Sequence, residues 1–261
     1  MESPPWPWGP TVKIRLYLAG RVGLATDEVL AFDERDMRGR QSRVAFAYLA
    51  AHHARPVPHE ELAEVLWPGD IPAAWESALY ALVSRLRALL ARRAPEAGIA
   101  RATGQYQLQV PPDTWVDIDA ATLALDAAEG ALRAGQARSA FGPACVAESI
   151  SRRPFLAGHN CPWADAQREK LERYLMRSLE CLARVWLATD EPALAVEAAA
   201  AAVALDPYRE SSYLLLMQAH QATGNRPEAL RVFLRLRKLL SDDLSTAPGP
   251  DTQELYLALL K

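Results

Sequence analysis

The sequence predicts an α+β protein in two parts: a small domain of strands and three helices, then an all-α array of helical hairpins. Three observations carry that prediction. A period-two run near the N-terminus gives way after Gly39 to helical periodicity, and the helices end at a second period-two stretch. Beyond Pro111-Pro112 the chain turns alanine- and leucine-rich with no strand pattern. With 261 residues, 50% of them hydrophobic and 23% charged, each part is long enough to bury its own core.

The elements follow in order. Residues 1–11 hold four prolines before Val12 and no periodicity, which predicts a disordered leader. Val12 to Leu18 alternates apolar and mostly polar residues, a half-buried strand, and shorter strands are expected at Gly20 to Leu24 and Glu28 to Phe32. A first helix runs after Gly39 through Val44, Tyr48 and Leu49 to His52, and Pro56 and Pro58 end it. A second runs from Pro58 through Leu62, Val65 and Leu66 to Trp67, stopped by Pro68-Gly69. A third begins near Ala73 and carries Leu79, Leu82, Val83, Leu86, Leu89 and Leu90 as one apolar stripe. Ile99 to Val110 forms a hairpin about Thr103-Gly104. Strands, three helices and a hairpin, over residues 12–110, is the element order of a winged helix-turn-helix domain.

Over residues 111–261 helical segments are expected to break at Gly135, Gly142-Pro143, Arg153-Pro154, Asp190 to Pro192, Asp206-Pro207, Gly224 to Pro227 and Pro248 to Pro250. E-P-A-L-A-V-E-A from Glu191 returns as R-P-E-A-L-R-V-F from Arg226, with Pro192 and Pro227 thirty-five residues apart. That spacing is near the tetratricopeptide period, and the small alanines suit closely packed helix pairs.

Composition narrows the function. No run of about 18 apolar residues exists and no secretory pattern opens the chain, so a cytoplasmic protein with no membrane partner is expected. Cys145, Cys161 and Cys181 form no C-x-x-C and give neither a disulfide framework nor a thiolate zinc site. His52 and His53 diverge on a helix and His59 lies beyond two prolines, which is no metal-ligand spacing. No phosphate-binding loop, dinucleotide fingerprint or hydrolase motif occurs, so no catalytic residue, metal or cofactor is expected. Asp117 and Asp119, in V-D-I-D, fit the capped start of a helix.

The net charge of −3 gives no global attraction to nucleic acid, but it averages over unlike regions. Residues 38–110 hold nine arginines against six carboxylates, whereas residues 118–261 hold 16 basic and 18 acidic side chains. On the third helix the face opposite the apolar stripe carries Ser77, Tyr80, Ala81, Ser84 and Ala88, flanked by Arg85 and Arg87. Small and hydroxyl-bearing residues beside arginine suit a helix lying in a major groove, and they equally suit a solvated structural face. Arg38, Arg40 and Arg43 cluster at the start of the first helix as a phosphate clamp, or as a solvated basic turn. Arg101, Thr103 and Gln105 lie near the hairpin tip.

The sequence resembles a known family: bacterial transcriptional activators of the antibiotic-regulatory-protein type, with an OmpR-like winged helix and a bacterial transcriptional activation domain. The resemblance rests on L-A-E-V-L-W-P from Leu62, A-L-Y-A-L-V-S-R-L-R ending at Arg87, G-Q-Y-Q-L at Gly104 and V-D-I-D from Val116. P-W-A-D-A-Q-R-E-K-L from Pro162, D-P-Y-R-E from Asp206, G-N-R-P-E-A-L-R-V-F from Gly224 and A-P-G-P-D-T-Q-E-L-Y from Ala247 extend it to the C-terminal region. It implies sequence-specific binding of double-stranded promoter DNA at repeated elements, which admits a homodimer on the DNA, and contact with RNA polymerase. By position it implies Ser77, Tyr80, Ser84, Arg85 and Arg87 on the recognition helix, Arg40 and Arg43 at the start of the first helix, and Arg101 and Tyr106 on the wing. Such proteins usually carry a basic wing residue where this chain has Gln107. A protein-interaction adaptor whose winged helix has lost DNA binding is the alternative that the overall acidity favours.

Overall fold

The computed structural model of the chain describes residues 13–261. The expected leader over residues 1–11 lies outside them. The chain divides into two compact units, one up to Ala120 together with Arg153–Leu171, the other Ala121–Arg152 with Glu172–Lys261. This division does not coincide with the expected single boundary between residues 110 and 111.

The first unit opens with β1 (Ile14–Tyr17), β2 (Gly23–Thr26) and β3 (Val29–Asp33), an antiparallel meander. At Gly23 a Cβ atom would stand 2.6 Å from the Phe32 carbonyl, so only glycine lets the two strands approach there. Helix α1 (Arg40–Ala51), a two-residue strand β4 (Val57–Pro58), α2 (His59–Leu66) and α3 (Trp75–Arg93) follow. Then come β5 (Gly98–Ala102) and β6 (Gln105–Gln109), joined by a tight turn in which Gly104 sits at φ +69°. A short β7 (Trp115–Val116) pairs parallel to β1, giving the order β3-β2-β1-β7, while β4, β6 and β5 form a second sheet in that order. The strands β4 and β7 carry no period-two signal because each is only two residues long. The expected leucine stripe of α3 is buried throughout, and Phe46 of α1 meets Phe32 edge-on at 5.3 Å.

Segment 153–171 joins this unit because its loop carbonyls find partners there. Gly20 N–H donates to the Pro154 carbonyl at 2.7 Å, Arg43 to that of Ala157 and Arg40 to that of Gly158, while Arg168, within the segment itself, donates to the carbonyls of Phe155, Leu156 and His159 and holds the loop in shape. Trp163 packs edge-on against Tyr48 at 4.8 Å and Phe155 at 5.3 Å. Asp117 is fully buried and accepts from the Leu18, Ala19 and Ile118 N–H groups. It therefore ties the end of β1 to the start of the next helix, a longer reach than the local cap expected of it.

The second unit is built from helices. They are α4 (Asp117–Arg133), α5 (Ala137–Ser151), α6 (Pro162–Ala188), α7 (Pro192–Leu205), α8 (Glu210–Ala222), α9 (Arg226–Leu244) and α10 (Pro250–Leu260). The first residues of α4 and α6 belong to the first unit. Expected breaks at Gly135, Asp190 to Pro192, Asp206-Pro207 and Gly224 to Pro227 separate successive helices, with Asp190 and Gly224 in left-handed turns. The expected break at Gly142-Pro143 is absent: Pro143 lies buried inside α5, where packing holds the helix through one missing N–H donor. Ala195, Ala198, Ala199 and Ala202 of α7 are buried, and α7 packs on α8 as α8 packs on α9. Glu180, buried on α6, is held by Arg209 at 2.9 Å, Ser211 at 2.6 Å and Ser212 at 3.0 Å.

Candidate nucleic-acid interface

The elements that would read a duplex are α3 and the β5–β6 hairpin. Burying the leucine stripe forces the opposite face of α3 outward, and Ser77, Tyr80, Ala81, Ser84, Arg85 and Ala88 are all exposed. Tyr80 keeps 54% of its surface open, a large share for an aromatic ring. The hairpin brings Arg101 to that ring, its guanidinium 5.7 Å from the ring centre. Ser77, Tyr80, Ser84, Arg85 and Arg101 are thus presented on one helix and the hairpin beside it.

A hydrogen-bonded set fixes α2 against α1. The Tyr48 hydroxyl donates to Glu61, and Arg55 grips the same carboxylate at 3.0 Å and 2.5 Å. Burial first, and then Glu61, push the Tyr48 phenol up to about 12, so it stays a donor across the physiological range. Arg55 principally holds the Glu61 carboxyl below its ordinary value.

Four of the expected contact residues are placed otherwise. Tyr106 is only 2% exposed; its ring stacks on His59 at 4.3 Å and faces the core side of the hairpin with Leu108. It supports the hairpin from beneath. Arg87 is half-buried, donates from Nε to the Ile99 carbonyl at 2.8 Å and lies over the Tyr106 ring, so it pins α3 to β5. Arg43 donates to the Ala157 carbonyl at 2.8 Å and pairs with Glu34, and the exposed Arg40 donates to the Gly158 carbonyl at 3.3 Å. Both turn toward their own chain because segment 153–171 supplies carbonyls at the front of α1. Gln107, at the position where such proteins usually carry a basic residue, donates to the His53 carbonyl at 3.0 Å.

Two further arginines sit beside the face, Arg38 of the expected phosphate clamp and Arg92, outside the expected set. Arg38, just before α1, and Arg92, near the end of α3, are exposed and line one cleft with Arg85. The signal for Arg92 was its spacing, seven residues after Arg85 and so two helical turns along the same flank. Burial principally, and then Arg101, lower the His59 imidazole, which favours a neutral ring beneath the hairpin. Among the described residues no group of three or more His, Cys, Asp or Glu side chains could hold a metal ion, and no helix is long and apolar enough to cross a membrane.

Residues 116–260 match the family of the bacterial transcriptional activator domain, and the chain belongs to that family. Among its relatives, Regulatory protein AfsR of Streptomyces coelicolor is 31% identical over 229 residues, a match covering 85% of this chain and 22% of AfsR. Transcriptional regulatory protein EmbR of Mycobacterium tuberculosis is 27% identical over 229 residues, covering 85% of this chain and 58% of EmbR. The chain thus spans about a fifth of the one relative and somewhat over half of the other. The solved structure of Mycobacterium tuberculosis EmbR in complex with a low-affinity phosphopeptide shares the fold, with a TM-score of 0.81 at 22% identity over 95% of this chain and 65% of that chain.

Proposed function

We propose that the chain is a sequence-specific DNA-binding transcriptional regulator, an activator that reads repeated promoter elements and contacts RNA polymerase. In this reading α2 and α3 are a helix-turn-helix, α3 is the recognition helix and the β5–β6 hairpin is the wing. The helices of the second unit are a tetratricopeptide-like array that meets the protein partner. The protein works in the cytoplasm, with no cofactor and no catalytic residue, and repeated elements admit two copies on one promoter.

One observation carries the reading: the solvent face of α3. Ser77 and Ser84 offer hydroxyls, Ala81 and Ala88 leave room for close approach, and Arg85 is free to reach a base or a phosphate. Membership of a transcriptional activator family supports it. Selection of bound sequences from a random duplex pool tests it. The expected outcome is enrichment of one repeated motif by the wild-type chain, lost in the triple variant Ser77→Ala, Tyr80→Ala and Ser84→Ala. A wild-type chain that enriches no sequence would overturn the reading in favour of an adaptor built on the helical array.

A further inference from the structure

The cleft beside Arg85 carries a second inference, which rests on the DNA-reading proposal. It has a volume of about 210 Å³ and lies between the segment leading into α1 and the second half of α3, lined by Asp36, Arg38, Ser42, Arg85, Ala88 and Arg92 among others. Three arginines line one small space. Among the described residues none of the three has an ion-pair partner, whereas the lone carboxylate named, Asp36, lies 3.7 Å from Arg93. Unpaired cations in a cleft repel one another, and an oxyanion relieves that repulsion through charge-assisted hydrogen bonds. Ser42, buried, donates to the Arg38 carbonyl at 2.8 Å, and Ala88 is exposed.

Its position on the helix says what the anion is. Ser77, Ala81, Ser84 and Ala88 follow one another at i, i+4, i+7 and i+11, a stripe down the middle of the exposed face. Tyr80, with Arg101 resting on it, borders one side of that stripe; Arg85 and Arg92 border the other. A helix in a major groove has a sugar-phosphate backbone on each side. We propose that Arg38, Arg85 and Arg92 form a phosphate site that grips one backbone phosphate along the flank of α3 opposite the hairpin.

The test uses the full chain and the double variant Arg38→Ala/Arg92→Ala, which removes two exposed side chains that make no hydrogen bond or ion pair among the described residues. Duplex affinity is measured over a salt series on the selected motif and on an unrelated duplex. The expected result is an affinity loss of roughly tenfold that is equal on both duplexes, with the log–log salt slope shallower by about 0.9 for one lost phosphate. Wild-type affinity and slope in the variant would overturn the proposal while leaving the DNA reading in place. Should the wild-type chain bind no duplex at all, the DNA reading fails, and titration with inorganic phosphate followed by phosphorus NMR decides the cleft. Saturable binding that the variant lacks would keep the phosphate site and make a free phosphorylated ligand its source; no binding by the wild type would overturn it.

Discussion

Arg85 and Arg87 stand two residues apart on α3 and have opposite tasks. Arg85 is exposed and has no ion-pair partner among the described residues; Arg87 gives its Nε to the carbonyl of Ile99 and lays its guanidinium over Tyr106. Arg85→Ala is therefore expected to weaken duplex binding by about 1–3 kcal/mol with an unchanged melting temperature, as a lost base or phosphate contact does. Arg87→Ala is expected to lower unfolding free energy by about 1.5–3 kcal/mol, because a charge-assisted hydrogen bond is lost and a carbonyl is left without its donor. A gel shift at fixed salt and a urea titration separate the two. Helical periodicity placed both arginines on the flanks of the leucine stripe, but no local signal says which flank the hairpin will cover. Tyr106 was more legible than that: Gln105, Tyr106, Gln107 and Leu108 alternate, so Tyr106 shares its strand face with Leu108 and belongs inside.

At the scale of elements, the long-range ties around β7 and segment 153–171 decide where the first unit ends. Within segment 153–171 Arg168 satisfies three loop carbonyls at once, which shapes the loop that offers the Pro154, Ala157 and Gly158 carbonyls to the rest of the unit. Arg168→Ala is expected to cost about 2–3 kcal/mol in urea unfolding, the range for hydrogen bonds to a charged donor whose buried acceptors are then orphaned. Asp117 gives a pH signature. Burial pushes its carboxyl up to about 6 from 3.8, against the pull of three N–H groups, so the folded chain holds that proton more tightly than the unfolded chain. Stability from this group rises as pH falls through about 6 and levels off below about 4; between pH 7 and pH 5 the wild type should gain about 1 kcal/mol over Asp117→Asn. A difference that stays constant across that range would contradict it. The long-range part of this was not visible in V-D-I-D, since two of the three donors lie at Leu18 and Ala19, about a hundred residues earlier. The leucine stripe, the Thr103-Gly104 turn and most helix breaks were legible because each is specified within a few residues. Pro143 was misread because its burial among neighbouring helices, which keeps α5 continuous, is a tertiary fact.

Across the molecule, a chain of net charge −3 still presents a basic surface where the sequence concentrates arginine. Of the cations near α1 and α3, Arg40, Arg43, Arg55, Arg87 and Arg93 bond or pair with their own chain, leaving Arg38, Arg85, Arg92 and Arg101 exposed with no ion-pair partner among the described residues. So small a set neutralises few phosphates, so nonspecific affinity should be modest and occupancy should depend on repeated sites or a protein partner. The second unit holds its own internal charges, with Glu180 paired to Arg209 and Glu129 to Arg177. The central claim is that the exposed face of α3 reads the duplex. The most direct measurement is the affinity of Ser84→Glu for the selected motif at fixed salt, beside its melting curve. Ser84 is exposed at the middle of that face, so a carboxylate there should lower affinity by roughly tenfold or more, as expected where like charge meets phosphate, while melting stays as in the wild type. Unchanged affinity would contradict the account.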